Sequence, residues 1–222
     1  MTEVRVWKYD GTELAWLQDR LDRPESGSGH VVSELVPAGF DAYVRIFHQF
    51  AATDGSGRTR TWRAWAEDAG VSFHRELSHL TLPHEFRAPG EPMWQTEEGA
   101  LDGPSRRALA RCLAGVTGEQ SVCFAYDLAA LCRGEDEPLV RRSSLTDLEA
   151  VREEVADRVG RCGPEFWWPD DRSWVVTTDY DLLSTYVGCS AETAERILRD
   201  DDIEALPVTT QTRVDWYADR PR

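Results

Sequence analysis

The sequence predicts a single α+β domain, built on a mixed or antiparallel sheet with several packed helices. Three observations lead there. Strand-like segments of period 2 and helix-like segments of period 3.6 follow one another in mixed order rather than strict alternation, which separates α+β from α/β. Three stretches, 104–116, 144–159 and 190–198, combine a start signal with an apolar stripe. The 222 residues, 41% hydrophobic and 29% charged, supply the core of one large domain and are too apolar for a disordered chain.

Residues 2–9 alternate, with Val4 and Val6 on one side, and read as a short strand. Thr12 suits a helix cap, and Leu14, Leu17 and Leu21 keep helical spacing until Pro24-Glu-Ser-Gly-Ser-Gly29 breaks it. Residues 31–36 and 43–50 look extended, the second with Val44, Ile46, His48 and Phe50 on one face. Asp54-Gly-Ser-Gly57 is a turn, and 61–69 a short helix with Trp62 and Trp65 three apart on one face. Residues 81–104, rich in Pro, Gly and Glu, are expected to be an irregular surface segment. With 24–29 and 54–57 they are the loops of one domain spanning 1–222.

The second half has sharper signals. Pro104 fits a first helical turn, and Leu109, Cys112, Leu113 and Val116 form a stripe that ends near Gly118. Residues 121–126 read as a buried strand and 134–138 as a polar loop. Ser144-Leu-Thr-Asp147 has capping-box spacing, with Leu148, Val151, Val155 and Val159 as the buried face of the helix it starts. Residues 174–178 and 184–187 are strands of a hairpin, turning at 179–182. Ser190 caps a last helix through Leu198, with Ala194, Ile197 and Leu198 inside and the pairs Glu192/Arg196 and Glu195/Arg199 in water.

Charge narrows the function. Forty acids against 25 bases leave −15, which repels nucleic-acid phosphates and anionic lipid and favours a basic protein partner or small ligand. A cluster at Arg58, Arg60 and Arg63 is too local to reverse this. No apolar run reaches the roughly 20 residues of a membrane helix, and the first residues lack a secretion-signal pattern, so the expected location is cytoplasmic. The five cysteines are odd in number, widely spaced and without a Cys-x-x-Cys pair, which suggests buried thiols rather than a disulfide framework or zinc ribbon. No nucleophile elbow, dinucleotide fingerprint, Walker loop or His-Glu-x-x-His is present. No catalytic residue, metal or cofactor is assigned.

The candidate site is 163–190, where Trp167, Trp168 and Trp174 stand among Asp170, Asp171, Asp179 and Asp181, with Tyr186 close behind. Two readings compete. A Trp-Trp platform rimmed by carboxylates would stack a sugar, a base or a partner's guanidinium. Alternatively, Trp167 and Trp174 are core rings and 169–172 a polar turn between them. Asp179-Tyr-Asp181, at a strand end, has the spacing for a cation or for acid/base work, without a third ligand nearby. His74, His79 and His84 recur every five residues, a step that no single helix or strand face gathers. Residues 163–206 hold eleven acids against three arginines, more than half of the net charge, which reads as an acidic face.

The chain resembles a family of uncharacterised actinobacterial proteins. The resemblance rests on Val36-Pro-Ala-Gly-Phe-Asp-Ala-Tyr43 with Arg45 and His48, on 166–179 (Phe-Trp-Trp-Pro-Asp-Asp-Arg-Ser-Trp-Val-Val-Thr-Thr-Asp), on Ser184-Thr-Tyr-Val-Gly188 and on Leu206-Pro207. It implies a shared fold and no activity, cofactor or catalytic residue. The expected function is non-catalytic binding, of the kind seen in immunity-type or regulatory proteins, with Trp167 or Trp168 as anchor and the four aspartates steering a basic partner. The alternative is a carboxylate-based hydrolase or transferase for a sugar or nucleotide, using Asp179 and Asp181. Burial separates the two: an enzyme gathers these carboxylates in a concave pocket with shifted pKa values, and a binding protein displays them on a flat or convex face.

Overall fold

The structure is a computed structural model that describes residues 8–9, 12–22, 30–82, 92–96, 98–160 and 162–219. Its first half contains β1 (Lys8–Tyr9), α1 (Thr12–Gln18), β2 (Ala42–Phe47), β3 (Phe50–Ala52), β4 (Thr59–Arg60), α2 (Trp62–Ala69), β5 (Trp94–Gln95) and α3 (Gly103–Thr117). There follow β6 (Val122–Tyr126), α4 (Leu128–Cys132), β7 (Leu139–Ser143), α5 (Leu148–Val159), β8 (Phe166–Pro169), β9 (Val175–Thr177), β10 (Ser184–Cys189), α6 (Ala191–Arg199) and β11 (Ala205–Val208). Eight strands form one sheet in the order β1-β7-β6-β8-β9-β10-β2-β11, with β4-β3-β5 as a smaller second sheet. All described pairings are antiparallel. The fold is α+β.

The pleat sorts the core into two layers. Val44, Ile46, Val122, Phe124, Trp167, Val176 and Val187 face α3, α5 and α6, where Leu109, Leu113, Val151 and Ile197 meet them. Their neighbours in sequence, Tyr43, Cys123, Ala125, Trp168, Val175 and Tyr186, face Leu14 and Leu17 of α1 together with Val32, Val36, Val208 and Val214. Because both faces are covered, β6 and β10 are buried at every position; β6 reads as an unbroken apolar run, whereas β10 starts with the buried polar pair Ser184 and Thr185. A third cluster, around Phe47, Phe50, Trp62, Trp65, Leu77 and Leu82, packs under α2.

Capping explains the helix starts. Asp102 Oδ1 accepts from Ser105 N at 3.0 Å, so α3 begins at Gly103 with Pro104 in its first turn. Thr61 accepts from Ala64 N, and Glu204 takes the first-turn N–H groups of Trp62 and Arg63 at 2.6 and 2.9 Å, so α2 is capped twice. Asp200 and Asp202, unfavourable at the end of α6, are met by Arg111 of α3 at 3.6 and 2.8 Å.

Several expectations need correction. Residues 31–36 are not extended: Val32–Glu34 is a 3-10 turn, where Glu34 reaches back to Val31 N. The 43–50 run breaks at 48–49, and Phe50 starts the second sheet. Ser144 caps a 3-10 turn, Leu145–Asp147, one turn before α5. Strand β5 lies inside the segment expected to be irregular, and β7, β8, β11 and α4 were not anticipated. Residues 2–7, the loop 24–29 and residues 83–91 and 97 lie outside the described residues. Among the described residues, no helix is long and apolar enough to cross a membrane.

Candidate binding cleft

Residues 166–169 form a strand, so neighbouring side chains point to opposite faces. That geometry rules out a side-by-side Trp167–Trp168 platform. Trp167, 3% exposed, stacks on Phe124 and meets Trp174 edge-on at 5.6 Å in the helix-side core. Trp168, 2% exposed, lies in the opposite core, edge-on to Trp16 at 5.5 Å. Trp174 is fully buried and donates Nε1–H to Thr117 Oγ1 at 3.1 Å, and Tyr186 is buried beside Arg45. The four rings are core.

The aspartates divide between the two ends of β9. At the β8–β9 turn, Asp170 is exposed and ion-paired with Arg142, which also forks onto Glu13 at 2.8 and 3.2 Å. Burial acts against the charge of Asp171, but hydrogen bonds from Gln120 Nε2 and Ser173 N, at 2.8 and 2.9 Å, hold its carboxyl below the usual range. Both carboxylates of this turn are thus met by partners.

The opposite turn is built differently. Asp179 O accepts from Leu182 N at 3.1 Å, and Asp179 Oδ1 accepts from Asp181 N at 3.3 Å. The turn rests on Gly99, whose N–H reaches Leu182 O at 3.1 Å and whose O accepts from Gly163 N at 2.9 Å. Gly99 has φ +66°, and a Cβ there would lie 2.6 Å from Tyr180 O, so only glycine lets the two backbones approach. Beneath the turn, Thr178 Oγ1 contacts Thr185 Oγ1 at 2.6 Å, and Thr185 contacts His48 Nε2 at 2.9 Å, a buried polar chain that ties β9 and β10 to the end of β2.

Burial, and then the facing carboxyl of Asp181, push Asp179 up to about 6. Among the described residues neither aspartate makes an ion pair. Glu165, 2% exposed, sits behind them and accepts from Asp127 N and Ala129 N at 2.6 and 3.0 Å. Burial outweighs those two bonds and raises it to about 8, so it is mostly protonated at neutral pH.

The C-terminal segment closes the other side. Val31 bridges Arg213, and Val214 N donates to His30 O at 3.0 Å. Asp215 accepts from Arg213 Nη2 and from Tyr217 N, which shapes the turn carrying Trp216. Trp216 is held from behind by a hydrogen bond from Ser78 Oγ to its carbonyl and by the His79 ring edge-on at 5.5 Å. Between this segment and the 179–182 turn opens a cleft of about 470 Å³, lined by Asp179, Tyr180, Asp181, Asp215, Trp216 and Tyr217, with His30, Leu35, Leu128, Leu182 and Val214. Among the described residues six large hydrophobic side chains are exposed, and four of them, Leu128, Tyr180, Trp216 and Tyr217, line this cleft. A fifth, Leu131, lies one turn beyond Leu128 on α4.

Thus Asp179 and Asp181 reach the cleft, whereas Asp170 and Asp171 lie at the other end of the sheet and the three tryptophans lie inside it. His74 is exposed, His79 packs on Trp216, and His84 lies outside the described residues. The acidic run 163–206 does not make one face, because its members are dispersed to both sheet ends, to α6, to Arg111 and to the start of α2. Sequence reasoning passed over Asp215-Trp216-Tyr217, although this triplet repeats the aromatic-acid pairing that singled out 167–181. Comparison of the chain with protein-family models, with curated proteins and with solved structures gives no match.

Proposed function

We propose that the protein is a non-catalytic binding protein of the immunity or regulatory type, and that the cleft between the 179–182 turn and residues 214–217 receives a cationic group of its partner. One observation carries this reading: two carboxylates that form no ion pair among the described residues, with only the His30 imidazole nearby, converge with the exposed rings of Tyr180, Trp216 and Tyr217 in one concavity. Aromatic faces and carboxylates together favour a cation over an anion or a neutral apolar group. The apolar surface continues past the mouth to Leu131, which suits a macromolecular partner better than a small substrate alone. A net charge of −15 adds long-range steering of a basic protein. Calorimetric titration with a short basic peptide should show binding at low salt that weakens at moderate salt and disappears in Trp216→Ala. Absence of binding at low salt counts against the proposal.

The concavity and the elevated Asp179 meet the burial criterion for an enzyme and carry a second reading; the three exposed rings beside them, on which a partner's side chain can stack, are what put binding first. A carboxyl near 6 beside a second carboxyl is suited to acid/base chemistry, so a hydrolase or transferase acting on a sugar or nucleotide is the alternative. It predicts turnover of a chromogenic glycoside or a nucleotide that Asp179→Asn abolishes and Asp170→Asn leaves intact.

A further inference from the structure

The protein repeatedly uses one device to cover tryptophan. Arg60 lies over Trp65 at 4.2 Å while pairing with Asp68, and Arg58 lies over Trp94 at 5.7 Å while pairing with Asp54 at 3.1 Å. Arg172 covers Trp16 at 4.3 Å, and Arg45 approaches Trp62 at 5.7 Å. Of the other described tryptophans, Trp167, Trp168 and Trp174 are sealed between sheet and helices and need no cover. Trp216 is different: it is 43% exposed, and among the described residues no guanidinium lies over it. Its cleft also holds Asp179 and Asp181, which form no ion pair among the described residues and have only the exposed His30 imidazole as a basic neighbour.

We infer that the occupant of the cleft is an arginine side chain presented by a basic partner, with its guanidinium stacked on Trp216 and its N–H groups shared between Asp179 and Asp181. The inference rests on the cation-binding reading above and specifies its chemistry. In the Arg60–Trp65–Asp68 and Arg58–Trp94–Asp54 groups, ring, carboxylate and guanidinium come from one chain; in the cleft the chain supplies the ring and the carboxylates. Arginine fits better than lysine for two reasons. A planar, weakly hydrated fork can lie flat on an indole, and it can donate to two carboxylates at once, whereas an ammonium is a strongly hydrated point charge. Asp215 is occupied by Arg213, so the guanidinium is left to the other two aspartates.

The test uses three blocked pentapeptides, acetyl-Gly-Gly-X-Gly-Gly-amide with X arginine, lysine or citrulline, titrated into the intact ¹⁵N-labelled protein. The readout is the Trp216 indole N–H resonance, assigned with Trp216→Phe. The arginine peptide should shift that resonance with an affinity at least about fivefold above lysine, and citrulline, which keeps the shape without the charge, should not bind. The arginine response should be lost in Asp179→Asn/Asp181→Asn. Equal binding of arginine and lysine overturns the arginine inference and leaves the cation-binding reading standing. Equal binding of all three peptides, or of none, overturns both.

Discussion

The two turns that bracket β9 carry similar letters, Asp170-Asp171 before it and Asp179-Tyr180-Asp181 after it, yet they occupy opposite environments. At the first, Arg142, Gln120 and Ser173 meet each carboxylate at the protein surface. At the second, the backbone of Gly99, buried Glu165 and the C-terminal segment enclose the turn, and the two aspartates face each other and form no ion pair among the described residues. Local sequence makes a turn acidic. What packs behind it decides whether that charge is already satisfied or is left to attract a ligand.

The same contrast separates the tryptophans, and the largest expected effect lies there. Trp168→Ala should destabilise the protein by about 3–5 kcal/mol in chemical denaturation, because it empties the space between β8 and α1. Trp216→Ala should cost less than about 1 kcal/mol, since the ring is exposed, while abolishing peptide binding. The reverse order would mean that the anchor had been misplaced.

A smaller effect probes the enclosure of the second turn. The folded state raises Glu165 from the usual 4.5 to about 8, so its stabilising contribution is complete below 4.5 and is lost as pH rises through about 8. Glu165→Gln retains an acceptor for the start of α4 and does not ionise. Its stability should therefore fall less steeply than the wild type's across that window, by up to about 1.4 kcal/mol per pH unit, measured by denaturant midpoints at several pH values. Parallel curves for the two proteins would contradict a buried Glu165. The smallest effect belongs to the first turn: Asp170→Asn removes an exposed ion pair and should change stability by about 1 kcal/mol or less.

Much of the fold was legible because periodicity and caps are local. The stripes of α3, α5 and α6, the hairpin of β9 and β10 and the break around 54–57 could all be placed; the 24–29 break lies outside the described residues. Strands β7, β8 and β11 were missed for physical reasons. Leu139–Ser143 carries two consecutive arginines, Phe166–Pro169 has aromatic side chains on both faces, and Ala205–Val208 contains a proline that only an edge strand accepts. With no element assigned to 166–169, the platform reading of Trp167 and Trp168 stayed open beside the core reading of Trp167 and Trp174. Of the residues that line the cleft, Asp179 and Asp181 were named from their turn. Trp216, Tyr217, Leu128 and His30 were not, because the cleft joins segments that are distant in sequence and meet only through the packing of the C-terminal segment on residues 30 and 78–79.

The central claim is that the cleft at the Asp179–Asp181 end, and not the Asp170–Asp171 end, receives the cation. Calorimetric titration of one blocked arginine peptide into Asp179→Asn/Asp181→Asn and into Asp170→Asn/Asp171→Asn, at pH 7 and low salt, compares the two ends with equal change in charge. Binding lost in the first variant and kept at wild-type affinity in the second is the predicted result. Binding kept in the first and lost in the second would place the site on the wrong end of β9 and contradict the account.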